Sequence, residues 1–183
     1  ERADLQTFLT RAAAQIETTV DLDALCASAT PLPACPEPQA IAAPPPLGQR
    51  IAVARDAAFA FAYPHHLSAW RAMGAEILPF SPLADEPVPD ADAVFLPGGY
   101  PELHGARLAA ADRFKAGMQA AADRGAVIYG ECGGYLTPGR GVIDKDRARH
   151  QMLGLLPLET SLAQRQLPPG PRRPPPTPPL SAP

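Results

Sequence analysis

The segment Gly130-Glu131-Cys132-Gly133-Gly134 is where residue types and spacing in this sequence best suit covalent chemistry. A nucleophile on a sharp turn between a strand and a helix stands exposed at the sheet edge, and small neighbours let the backbone take that strained turn. The helix amino terminus expected next in the chain offers amides and a dipole end that favour a thiolate at Cys132. In acyl transfer the amide of Gly133 would face the developing oxyanion, and a second donor must come from elsewhere. Gly98 and Gly99, in Pro97-Gly98-Gly99-Tyr100-Pro101-Glu102, are the natural suppliers, since glycine lets a backbone amide approach a ligand closely. A lone free cysteine is more often a small buried hydrophobe, so the chemical reading depends on these two glycine loops converging.

Convergence requires a scaffold, and the hydrophobic pattern supplies one. Ile51-Ala52-Val53-Ala54, Glu76 to Phe80, Ala93 to Leu96 and Ala126 to Tyr129 are short apolar runs suited to buried strands. Leu67, Trp70 and Met73 share a helical face closed by Gly74. Leu108, Ala111, Phe114, Met118 and Ala121 continue at helical spacing to Gly125. Strand and helix alternate, which predicts an α/β fold with a mainly parallel sheet and flanking helices. In such sheets ligands bind at the carboxyl ends of the strands, where both glycine loops fall.

The first residues carry Leu5, Phe8, Leu9, Ala12 and Ile16 at helical spacing, with Asp4 available as an N-cap. Prolines crowd residues 31–46 and 168–183, where regular helix or central strand is excluded. The formal net charge of −3 gives no broad basic surface, so nucleic acid is not an expected partner. No apolar run approaches the roughly 20 residues of a membrane helix, so no membrane partner and a soluble, cytoplasmic protein are expected. Cys26, Cys35 and Cys132 are too few and too scattered for a disulfide framework or a four-ligand zinc site, and no metal site is expected.

Four segments in order, Arg55-Asp56-Ala57-Ala58-Phe59, Phe80 to Glu86, Leu96 to His104 and the Cys132 segment, then Arg149 to Thr160, resemble the cobyrinic acid a,c-diamide synthase family over about residues 50–165. The resemblance implies the carboxy-terminal, class I (triad-type) glutaminase domain of that family, with a flavodoxin-like fold. It implies that Cys132 attacks the side-chain amide of glutamine to give a thioester, with Gly98, Gly99 and Gly133 stabilising the oxyanion, and that water then releases glutamate. Ammonia would pass to an ATP-dependent ligase domain that amidates the a and c carboxylates of cobyrinic or hydrogenobyrinic acid in cobalamin biosynthesis. Tyr100, Glu102 and Tyr135 are candidates to contact glutamine, each equally well placed as a structural loop residue. ATP, Mg²⁺ and the corrin are expected on the ligase domain, since no Gly-x-x-x-x-Gly-Lys-Ser/Thr loop occurs here.

By the same resemblance, residues 1–25 belong to that ligase domain, 26–48 are a proline-rich linker, 49–165 are the glutaminase domain, incomplete, and 166–183 are a disordered tail. The tail fits a reading-frame change better than a polyproline ligand. The family's histidine partner for the cysteine is expected beyond Leu156 to Thr160, a position matched by none of His65, His66, His104 and His150. His65 and His66 suit a solvated helix start, His104 a structural place beside the glycine loop, and His150 an exposed turn. An inert glutaminase-like fragment and the glutaminase domain of cobyric acid synthase are the competing readings.

Overall fold

The computed structural model describes residues 2–31 and 43–163. Cys35, much of the expected linker and the tail over 166–183 lie outside them. The chain divides into two compact units, residues 1–42 and 43–183. The first holds α1 (Arg2–Thr19) and α2 (Leu22–Ala27). Asp4 lies inside the first turn of α1 and is not its N-cap, because the helix begins at Arg2. Leu5, Phe8, Leu9 and Ile16 are exposed. Asp21 caps α2 by accepting the Ala24 N–H at 2.9 Å.

In the second unit β1 (Arg50–Ala54), β2 (Glu76–Phe80), β3 (Ala93–Leu96) and β4 (Val127–Gly130) form a parallel sheet of order β2-β1-β3-β4. The period of two along a strand sends alternate side chains to opposite faces. Ala52, Ala54, Val94 and Leu96 join one core with Phe114 and Met118, whereas Ile51, Val53, Ala93 and Phe95 join another with Trp70. Trp70 comes from α3 (Pro64–Ala72), and Phe114 and Met118 come from α5 (Asp112–Asp123), so helices cover both faces. That is the α/β fold expected from the strand and helix alternation. Trp70 packs edge-on against Phe95, with ring centres 5.7 Å apart, and its Nε1–H donates to Pro44 O at 3.2 Å.

The single helical stretch expected from Leu108 to Ala121 is two helices. α4 (Gly105–Ala109) ends, the chain bends at Ala110 and Ala111, and α5 starts at Asp112. Ala111, at ψ 79°, leaves the helical region, yet Leu108, Ala111, Phe114, Met118 and Ala121 are all buried. Periodicity records which face is buried and is blind to such a break. No side chain at Ala111 caps α5; instead Asp85, from the turn after β2, accepts the Phe114 N–H at 2.9 Å. Asp85 itself is left-handed, at φ 53°, a conformation that Asp and Asn tolerate best among residues with a Cβ. Asp85→Ala is expected to lower stability by about 1–2 kcal/mol in urea unfolding, and Asp85→Asn by much less.

A small second sheet went unforeseen. β5 (Gly141–Ile143) pairs antiparallel with β6 (Arg149–Gln151) and parallel with β7 (Glu159–Ser161). Its strands are three residues each, too short to show a period. Arg149 Nε donates to Glu159 Oε2 at 2.6 Å across the central strand, passing over Gly141.

Candidate functional site

The site is assembled from three loops at the carboxyl ends of β1, β3 and β4. The first begins with Asp56, whose carboxylate accepts the Ala58 N–H at 2.9 Å, the Ser81 hydroxyl at 2.9 Å and the Leu83 N–H at 2.8 Å. One side chain thus ties the loop after β1 to the turn after β2. The loop then runs antiparallel to the glycine loop, with the Phe61 N–H donating to Gly98 O at 2.9 Å. Asp56 was visible in the sequence only as part of a matched segment, because its partners lie 2, 25 and 27 residues away.

Gly98 and Gly99 are buried and lack room for side chains. A Cβ on Gly98 would stand 3.3 Å from both Cys132 Cβ and Phe61 Cβ, and one on Gly99 would collide with the Ala58 carbonyl. The Gly99 N–H makes no hydrogen bond among the described residues. Pro101 and the Gly99 carbonyl abut Gly133, so the glycine loop and the cysteine turn are in direct backbone contact. The convergence on which the chemical reading of Cys132 depended is therefore present.

Cys132 is exposed and left-handed, at φ 51°. For a residue with a Cβ this conformation costs roughly 1–2 kcal/mol and persists only where the surroundings impose it. Here they do. Glu131 N–H reaches back to Leu96 O at 3.2 Å, and Gly134 is wedged against the carbonyls of Leu96 and Pro97. The element after the nucleophile differs from expectation: residues Cys132–Tyr135 form one 3₁₀ turn and no α-helix starts there. A single turn aligns few peptide dipoles, so the dipole support inferred for a thiolate largely falls away, and the local amides remain.

Tyr100 and Tyr135 are exposed, and the Tyr100 ring meets Phe61 edge-on at 5.3 Å. Glu102 lies in the 3₁₀ turn Pro101–His104, with Oε2 buried and without a hydrogen-bond partner. His65 and His66 are in the first turn of α3 beside Tyr63, and His104 ends the Pro101–His104 turn. His150 is a correction. It lies in β6 with its side chain 16 % exposed, and the expected exposed turn is residues 145–148 instead. Its Nε2 stands 2.7 Å from Asp144 Oδ2, and its ring fills the space over Gly105 at the start of α4.

The His150 hydrogen bond, with help from the Ala148 and Asp146 amides, holds the Asp144 carboxyl below the usual aspartate range. A lowered carboxylate stabilises the fold above its unfolded value of about 3.9, and that stabilisation is lost as pH falls through the lowered folded value. Asp144→Asn should therefore flatten the stability profile of the chain below about pH 4, read by thermal melts across pH.

Among the described residues no group of three or more His, Cys, Asp or Glu side chains could hold a metal ion, and no helix is long and apolar enough to cross a membrane. The arrangement suits acyl transfer: an exposed thiol on a strained turn, with an unpaired backbone amide near it.

Residues 50–169 match the family of CobB/CobQ-like glutamine amidotransferase domains. The chain is 56% identical over 167 residues to hydrogenobyrinate a,c-diamide synthase of Sinorhizobium sp, and 53% identical over 167 residues to the protein of that name from Rhizobium meliloti (strain 1021). A third, from Rhodobacter capsulatus, is 53% identical over 169 residues. In each case the match covers 91% of this chain and 38% of the relative, so the chain spans well under half the length of the relatives it matches.

Proposed function

The chain belongs to the family of CobB/CobQ-like glutamine amidotransferase domains, and on that footing we propose that it is the glutaminase part of an ATP-dependent amidoligase. The amidoligase converts the a and c carboxylates of hydrogenobyrinic acid, or of cobyrinic acid, to amides with glutamine as nitrogen donor. The observation that carries this reading is the left-handed Cys132 seated against the Gly98-Gly99 loop. The names of the relatives support the choice of acceptor.

In this reading the Cys132 thiolate adds to the side-chain carbonyl carbon of glutamine, and the carbonyl π electrons move to oxygen. Backbone N–H groups of Gly133 and the Gly98-Gly99 loop stabilise that oxyanion. Its collapse breaks the C–N bond as the leaving nitrogen takes a proton from water, ammonia departs, and a thioester stays on Cys132. Water adds to the thioester, the thiol departs, and glutamate is free. ATP, Mg²⁺ and the corrin bind to the partner ligase portion, and no step of this half-reaction passes through them. Residues 1–25 belong with that portion, and the second unit from about residue 49 carries the glutaminase.

The test is glutamate release from glutamine by the purified chain, alone and with the ligase portion of the Sinorhizobium relative added. Release that rises when the ligase portion is present supports the reading. An absence of glutamate in both mixtures, with no modification of Cys132 by a glutamine-shaped chloroketone, overturns it in favour of an inert fragment.

A further inference from the structure

The 3₁₀ turn after the glycine loop contains a carboxylate oxygen, Glu102 Oε2, with no hydrogen-bond partner among the described residues. Glu102 Oε2 is shut off from solvent and accepts no hydrogen bond, and Glu102 enters no ion pair with any described residue. Two cationic residues that follow in the chain are engaged elsewhere. Arg107 Nε donates to Leu83 O at 2.7 Å, and Lys115 donates to Ala109 O at 2.6 Å and pairs with Asp112 at 2.9 Å. A carboxylate oxygen held dry and without a donor is unfavourable, so a fold that keeps one gains when a donor arrives with a ligand. A metal ion is a poor candidate for that donor, because a lone carboxylate makes no metal site and no cluster of three ligating side chains exists among the described residues.

The position of Glu102 says which ligand. It comes directly after Pro101, whose Cδ lies 2.7 Å from the place a Cβ would take on Gly133, and Gly133 is the residue after Cys132. Glu102 therefore follows, one residue on, the contact between the glycine loop and the cysteine turn. Glutamine carries one cationic group, its α-ammonium, at the end of the molecule remote from the amide that reacts.

We propose that Glu102 receives the α-ammonium group of glutamine and selects for α-amino acids at this site. This rests on the glutaminase reading above and adds to it a residue that distinguishes glutamine from amides lacking the amino group. A charge-assisted hydrogen bond of this kind orients the substrate by its far end, so that the side-chain amide faces Cys132.

The experiment measures the rate at which Cys132 of the full 183-residue chain is alkylated by three chloroketones. They are L-2-amino-5-chloro-4-oxopentanoate, its N-acetyl derivative and 5-chloro-4-oxopentanoate, which has no amino group. In each the thiolate sulfur forms a bond to the chloromethyl carbon as chloride leaves, so the reaction needs no further reagent. The unmodified chain should favour the free-amine probe over the other two by about tenfold or more, the scale of one charge-assisted hydrogen bond. Glu102→Gln should bring that ratio close to unity, and Glu102→Asp should retain part of it. A preference that survives Glu102→Gln, or equal rates for the free and N-acetylated amines in the unmodified chain, overturns the role of Glu102. The second comparison needs no variant and so does not depend on one folding. If the unmodified chain reacts with all three no faster than glutathione does, the crevice does not recognise glutamine, and the glutaminase reading fails together with this inference.

Discussion

A chain carrying Cys132→Ala should take up no glutamine-shaped chloroketone at position 132, and any glutamate release seen with the ligase portion should fall by on the order of 10³-fold or more. Alanine leaves the backbone amides of Gly133 and the glycine loop in place, so the loss isolates the sulfur from the oxyanion donors. Cys26 serves as an internal control. It is also an exposed free thiol, yet it lies within the helix α2 and not on a left-handed turn, and its labelling should follow the reactivity of the probe and not its shape. A second variant separates the strain from the chemistry. Because residue 132 stands at φ 51°, Cys132→Gly should be more stable than Cys132→Ala by about 1 kcal/mol, since glycine takes the left-handed turn without steric cost. Both should be equally inert. If the two variants melt alike, the turn does not hold the strain assigned to it; if Cys132→Ala still releases glutamate, the nucleophile lies elsewhere.

The largest loss of stability is expected from Gly134→Ala. The added Cβ would overlap the Leu96 carbonyl oxygen and lie 2.6 Å from the Pro97 carbonyl oxygen. Both obstacles are backbone at the end of β3, so no rotamer change can relieve the clash. The cysteine turn would have to move away from β3, against the β3–β4 pairing that reaches Leu96 and Gly130. Overpacking of this kind costs about 1–3 kcal/mol and at times more. For a unit of this size that is a fall in melting temperature of roughly 3–6 °C per kcal/mol. Gly125→Ala is the contrast. Gly125 is left-handed at φ 79° with nothing within 4 Å of an added Cβ, so only the conformational cost of about 1 kcal/mol should appear. Chloroketone labelling of Cys132 should fall in Gly134→Ala and persist in Gly125→Ala. A Gly134→Ala chain as stable as Gly125→Ala would show that the contact between the turn and β3 is looser than described.

Much of this architecture could be read from local pattern. Ile51 to Ala54 and Ala93 to Leu96 are apolar runs because both faces of a central parallel strand are covered, and every residue of Ala93 to Leu96 is in fact buried. Trp70 and Phe114 recur at helical spacing because each faces one side of that sheet. The glycines around Cys132 are informative for a similar reason: a turn so close to β3 leaves no space for side chains, and composition records it.

Other features were set by partners remote in sequence. The break at Ala111 leaves the buried face unbroken and is capped by Asp85, 29 residues from Phe114, so neither spacing nor a local cap could announce it. His150 reads as a residue of a charged turn, and only its pairing with Asp144 and its packing on Gly105 draw it inward. The 3₁₀ turn after Cys132 likewise depends on how Gly133 and Gly134 lodge against the glycine loop. What the sequence determined by itself was the alternation of strands and helices, the two glycine loops and the cysteine between them, since short-range periodicity and side-chain size decide those. Tertiary structure alone decided the left-handed strain on Cys132, the Asp56 bridge that supports Gly98 and Gly99, and the Glu102 carboxylate oxygen left without a hydrogen-bond partner among the described residues. Each of these is a matter of which atoms meet across the fold, and contacts between distant residues leave no period in the chain.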